Sequence, residues 1–153
     1  MHLLEWLENS ALAMWVSGSD SLWAYPAILT LHTLGMSVLV GASAVADLRL
    51  LGFAPHVPLT VFRRISRPVW AGLAVNATTG SLLFIAAATQ KGTEKLFAVK
   101  LALILVALLT DRRIRRTVLA ESGEPHFSIP ATAKFLAAAS LFFWAASITA
   151  GRL

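Results

Sequence analysis

The sequence predicts an all-α integral membrane protein, a four-helix bundle with a short N-terminal interfacial helix. Of its 153 residues, 57% are hydrophobic and 14% are charged, and the mean hydropathy is +0.70. A soluble domain carries about 25% charged and about 45–50% apolar residues, so ordinary globular packing does not accommodate this composition. Apolar stretches without charge recur along the chain, with basic residues concentrated between them. We therefore expect a single transmembrane domain covering residues 1–153.

The first segment, about 2–17, is predicted to be a helix lying on the outer face of the membrane that the protein spans. Its apolar residues recur at helical spacing, and Trp6 and Trp15 are suited to the headgroup zone. Glu5 and Glu8 interrupt the apolar run, and the segment contains no Lys or Arg. A signal peptide has a basic start and an unbroken apolar core, so we expect this segment to be retained.

Four transmembrane helices are predicted, at about 22–50, 68–90, 95–116 and 130–151. The first two contain the charge-free stretches from Ser21 to Ala46 and from Pro68 to Gln90. Each stretch exceeds the roughly 20 residues that cross the hydrocarbon core. The third and fourth are shorter, and they carry Lys100 and Lys134. A lysine stem can lie along apolar surface while its ammonium reaches the headgroups, which makes both segments long enough to span.

Basic residues set the predicted orientation, because short loops rich in Lys and Arg stay in the cytoplasm. The connection between the first two helices and the connection between the last two each hold four arginines, namely Arg49, Arg63, Arg64 and Arg67, and Arg112, Arg113, Arg115 and Arg116. The middle connection holds only Lys91 and Lys95. Both termini are therefore expected outside the cell. The cytoplasmic placement of these basic residues accounts for the pI of about 10.5, so we do not expect a nucleic-acid partner.

Small and polar residues line one face of the second helix. Gly72, Asn76 and Gly80 lie four apart and are joined by Thr79. Inside lipid, small residues and shared hydrogen bonds select helix contacts, so we interpret this stripe and Gly41 of the first helix as packing positions. A polar substrate path through Asn76 is the functional alternative.

An aspartate lies near the end of the first and third helices. Acid at a helix C-terminus opposes the helix dipole, so each carboxylate is expected to have a cationic neighbour. Asp111 has Arg115 four residues later, whereas Asp47 has Leu51 at that position. Asp47 is therefore expected to contact Arg49, another helix or a lipid headgroup.

His32 and Met36 are the candidate cofactor ligands. His32 is the only histidine within a predicted span, and Met36 follows one turn later on the same side. An imidazole and a thioether could converge on a haem b iron or on copper, with Lys100 and Asn76 nearby. The alternative is that His32 hydrogen-bonds a neighbouring group, that Met36 fills a gap, and that the protein holds no cofactor. A bis-histidine haem would also need a second imidazole at matching depth.

Conventional hydrolysis and phosphoryl transfer are not expected. The sequence contains no serine–histidine–acid set, no phosphate-binding glycine loop and no paired carboxylates within a span. It also contains no cysteine, which excludes thiol nucleophiles, thiolate metal sites and disulfides.

Short motifs resemble a family of small uncharacterised four-helix bacterial inner-membrane proteins. They are Tyr25-Pro-x4-Leu31-His32-x2-Gly35, Gly41-x5-Asp47-Leu-Arg49-Leu-Leu-Gly52, Arg67-Pro68-x3-Gly72, Thr79-Gly80 and Phe97-x2-Lys100. This resemblance covers nearly the whole chain and implies a four-helix fold in the bacterial plasma membrane, with no established activity. The third helix with Lys100 is also distantly similar to the copper-resistance protein D superfamily, which implies metal handling at the outer face or membrane electron transfer. The sequence lacks the second intramembrane histidine and the methionine-rich outer segment that such roles require.

The leading functional interpretation is a non-enzymatic subunit or accessory of a larger inner-membrane assembly, of a redox or metal-related kind, as a homo-oligomer or with other membrane subunits. Two alternatives stay open. One is a haem- or copper-binding protein that uses His32 and Met36. The other is a small-solute or ion transporter formed by oligomerisation.

Overall fold

In the computed structural model, helices are the only regular secondary structure among the described residues. There are seven of them, α1 His2–Glu8, α2 Ala11–Gly18, α3 Ala24–Leu51, α4 Val61–Ala86, α5 Ala88–Thr93, α6 Lys95–Glu121 and α7 Ala131–Ala150. The described residues are 2–18, 23–53, 55–58, 61–121 and 129–151, excluding the side chains of residues 18, 61–63 and 119–121.

Four long helices form two antiparallel pairs, α3 with α4 and α6 with α7. The pairs meet where α3 packs against α7, whereas α4 and α6 barely touch. Gly72 of α4 approaches Leu39 of α3, and Asn76 of α4 approaches His32, so residue numbers run in opposite directions along this pair. The short connections between successive helices favour this antiparallel arrangement.

Two apolar layers hold the helices together. A central apolar layer, Leu39, Val69, Ala107 and Trp144, takes one residue from each long helix. A terminal apolar layer lies nearer the arginine-rich connections and is formed by Ala46, Leu50, Ile114, Val118, Ala133 and Ala137. Because these residues are spaced four or seven positions apart along α3, α6 and α7, one side of each of these helices lies in both layers.

Within the described parts of the chain, three helices are long and apolar enough to cross a membrane. They are Ala24–Leu51, the Arg64–Ala86 portion of α4, and Ala131–Ala150. The fourth predicted crossing, α6, forms a helix of 27 residues but is not among them. Charged residues at both of its ends, from Lys95 and Lys100 to Asp111, leave an apolar stretch that is short for a span.

The N-terminal segment forms two helices instead of the single helix predicted at 2–17. The break lies at Asn9 and Ser10, where the Ser10 hydroxyl accepts a hydrogen bond from the Ala13 amide (3.3 Å) and so caps α2. Ala13 and Val16 of α2 are buried, because α2 packs on α4 and α3 while α1 packs on α5.

The second predicted span, 68–90, differs from the structure at both ends. The helix already begins at Val61 and includes Pro68, and it ends at Ala86, before the short α5. Arginine is a good helix former, so the arginines that end the apolar stretch do not end the helix. The other predicted spans differ less. For the first, predicted at 22–50, residue 22 lies outside the described residues and α3 ends at Leu51, where Gly52 (φ 101°) caps it.

Candidate functional site

A histidine cluster joins α3 and α4 through hydrogen bonds. His32 Nδ1 lies 3.0 Å from the Thr79 hydroxyl oxygen, and the Asn76 side-chain amide donates to the His32 carbonyl oxygen (3.0 Å). The Thr79 hydroxyl itself donates to the Val75 carbonyl (2.6 Å). When the hydroxyl proton is on that carbonyl, the Thr79 oxygen accepts from a protonated Nδ1. In the neutral imidazole this leaves Nε2 as the acceptor nitrogen.

Two of the three predicted packing glycines let helices approach closely, and the third does not. A Cβ on Gly72 would lie 2.9 Å from both the Gly35 carbonyl oxygen and the Leu39 nitrogen, and a Cβ on Gly80 would lie 3.1 Å from the His32 ring. A Cβ on Gly41 would have nothing within 4 Å, because this residue is on the exposed side of α3. Gly41 therefore makes no close approach to another helix among the described residues.

Met36 and Lys100 occupy different surroundings. Met36 is half-buried on α3. Lys100 is also half-buried, and its stem runs along the end of α7, with the ammonium 3.0 Å from the position that a Gly151 Cβ would take. The carbonyls at a helix C-terminus carry partial negative charge, so the Lys100 ammonium lies at a favourable end of α7. Within the described residues no three His, Cys, Asp or Glu side chains are grouped to hold a metal ion.

The two aspartates have different partners. Arg115 donates to Asp111 through Nε (2.7 Å) and Nη2 (3.2 Å), which forms the ion pair that their four-residue spacing predicts. Arg49 instead donates to the carbonyls of Val57 (2.6 Å) and Pro55 in the connection after α3. Of the partners proposed for Asp47, Arg49 is thus engaged elsewhere, and Asp47 turns toward the neighbouring helices.

An aspartate cluster lies between α3 and α7, and the sequence interpretation missed it. It consists of Ser43 and Asp47 of α3 with Ser140 and Trp144 of α7, all at most 2% exposed. The Ser140 hydroxyl lies near the Asp47 carboxyl, and Asp111 and Arg115 of α6 are close enough to act on it electrostatically. The four-residue spacings, 43 to 47 and 140 to 144, were visible in the sequence, but which helix they face was not.

These features define a helical integral membrane protein with polar side chains buried between its helices. The family model for a "Family of unknown function (DUF6644)" matches residues 3–153, so the chain belongs to that family. This confirms that it is a member of an uncharacterised family. Comparisons with curated proteins and with solved structures give no match.

Proposed function

We propose that the chain is a four-pass protein of the bacterial plasma membrane, with α6 as the fourth crossing and both termini outside. At 1.5 Å per residue, α6 is about 40 Å long, which exceeds the hydrocarbon thickness of about 30 Å. The position of Lys100 beside Gly151 supports this, because it places a lysine of α6 at the far end of α7 from the arginine-rich connection. A half-buried ammonium at that end can reach the headgroups.

In this membrane the protein acts as a non-catalytic subunit that packs against another membrane helix through α3. The observation that carries this proposal is Gly41, which lies in mid-helix with open space where a Cβ would be. Ser37, one turn earlier, is also exposed. A glycine inside a helix costs about 0.5–1 kcal/mol relative to alanine, and no contact with another described residue explains this glycine. Small residues on a membrane helix let a second helix approach closely. No more than 28% of any of the three apolar spans is buried within the chain, so large surfaces are free for such contacts.

Association is tested with the full chain in its own membrane. Because the sequence has no cysteine, Gly41→Cys and Ser37→Cys each introduce the only thiol in the chain. If the partner is a second copy, oxidation should give a cross-linked dimer. Leu105→Cys, on the exposed side of α6, is the control that should not cross-link.

The assembly itself is measured by native mass. Wild type should run above the mass of one chain, and Gly41→Leu should shift it toward the monomer without loss of helix content, because open space surrounds the substituted position. A monomer in lipid for wild type, with no cross-link at either position, would contradict the subunit proposal.

A redox or metal-related role is favoured by one feature, the hydrogen bond of His32 to Thr79. A hydrogen bond from one ring nitrogen orients the other for ligation. The measurements are the Soret absorbance and the copper content of detergent-purified protein, compared with His32→Gln. Absorbance or copper that disappears in the variant supports this role, and the absence of both in wild type removes it.

Transport through a single chain is not favoured by the packing. The central apolar layer separates the histidine cluster from the aspartate cluster along the same helices. A polar path would therefore have to run between chains. Flux in liposomes that is lost in Asn76→Leu or Lys100→Met would support such a path, and no flux with wild type would count against it.

A further inference from the structure

The aspartate cluster concentrates unpartnered polar atoms in the protein interior. Among the described residues, both carboxyl oxygens of Asp47, the hydroxyls of Ser43 and Ser140, and the Trp144 indole N–H have no partner in good hydrogen-bond geometry, although the Ser140 hydroxyl lies close enough to the Asp47 carboxyl to interact with it. Asp47 is 1% exposed, and the two serines are fully buried. Buried polar groups are normally paired, because an unpaired one loses its bonds to water without replacement. A cluster of this kind therefore indicates an occupant that the protein side chains do not supply.

Apolar residues close the cluster on two sides. Toward the arginine-rich connections lies the terminal apolar layer, with Leu50 and Val118 fully buried. Toward the other end lies the rest of the central apolar layer, which shares Trp144 with the cluster and in which Leu39 is 1% exposed. The occupant must therefore be small, and its exchange requires α3 and α7 to separate locally.

The charges around Asp47 do not balance among the described residues. On α6, Asp111 and Arg115 form an ion pair whose charges cancel. On α7, Lys134 is exposed, and on α4 both Arg64 and Arg67 are exposed. An ionised Asp47 would thus leave one negative charge in the interior, where an uncompensated charge is costly.

The geometry points to Asp47 as a buried proton-binding site, in which the carboxyl group carries its proton at neutral pH and the cluster is electrically neutral. A protonated carboxyl is both a donor and an acceptor. It can therefore pair with the serine hydroxyls and the indole N–H, directly or through an ordered water, which needs two to four polar partners. One carboxyl and two hydroxyls offer too few oxygens for Ca²⁺ or Mg²⁺, which take six or more ligands. The proposal concerns this site alone and does not depend on the subunit proposal.

The test is infrared difference spectroscopy of the full chain in lipid vesicles at pH 7, read at the carbonyl stretch of protonated carboxyl groups. We expect one such band in wild type, which shifts slowly in D2O because the apolar layers exclude solvent. Asp47→Asn should remove the band, whereas Asp111→Asn should retain it.

If Asp47→Asn does not fold, isotope labelling can assign the infrared band instead. The chain has three aspartates, so a band that moves with ¹³C-aspartate labelling and survives both Asp20→Asn and Asp111→Asn belongs to Asp47. The proposal is overturned if wild type shows no protonated carboxyl at pH 7, if the band persists in folded Asp47→Asn, or if it appears only when sodium is removed, which would assign the site to a sodium ion.

Discussion

Replacing Gly72 by alanine is expected to weaken the contact between α3 and α4. The added Cβ would lie 2.9 Å from the Gly35 carbonyl oxygen and 2.9 Å from the Leu39 nitrogen. Both are backbone atoms inside a helix, so no side-chain rotation relieves the overlap, and the helices must move apart. Overpacking of this kind costs about 1–3 kcal/mol. The higher helix propensity of alanine offsets up to about 1 kcal/mol.

The expected net effect is therefore a loss of about 1–2 kcal/mol, or roughly a 5–30-fold change in the unfolding equilibrium. Reversible unfolding in mixed micelles, followed by circular dichroism, measures it. Gly41→Ala is the matched control in micelles dilute enough to hold single chains, because it makes the same change on α3 where no described residue lies within 4 Å and no second chain is in contact. It should gain up to about 1 kcal/mol. Equal stability of the two variants, or a Gly72→Ala variant more stable than wild type, would refute the reasoning.

Two further predictions concern the carboxylates. Asp111→Asn should lower the free energy of unfolding by about 1–3 kcal/mol, because it weakens the charge-assisted bonds of Arg115. Asp47→Asn mimics a protonated carboxyl, so it should lower the free energy of unfolding by less in the same titration. An equal loss in the two variants would contradict a neutral Asp47. The Glu8 carboxylate accepts hydrogen bonds from the Thr89 hydroxyl and amide, which lower the pKa of Glu8. The docking of α1 on α5 should therefore be complete above the ordinary glutamate pKa and weaken as pH falls through the lowered value. Hydrogen exchange of the α1 amides measures this, and an unchanged pH profile in Glu8→Gln would exclude it.

Features that depend on one stretch of chain could be predicted from the sequence. Long charge-free runs indicated the apolar helices, the four-residue spacing indicated the Asp111–Arg115 ion pair, and Gly52 marked the end of α3. The break at Ser10 was also accessible, because serine before an apolar helical run is a favoured N-cap.

Features that depend on which sides of two helices contact each other could not be predicted. The side of α3 that meets α4 carries Gly35 and Leu39, whereas Gly41 lies on the exposed side. Asp47 was considered mainly with nearby arginines, whereas its surroundings come from Ser140, ninety-three positions later in the chain. Helical periodicity shows which residues share a face, but the register between helices is set by packing in three dimensions.

We propose that the chain crosses the bilayer four times with its arginine-rich connections in the cytoplasm. Single cysteines in place of His56, Lys91 and Arg113, in a chain otherwise free of cysteine, test it with a membrane-impermeant maleimide on intact cells. The account predicts labelling of Lys91→Cys in intact cells, and of the other two only after the membrane is permeabilised. Labelling of His56→Cys from outside, or of Lys91→Cys and Arg113→Cys from the same side, would contradict it, the latter because α6 would then not cross.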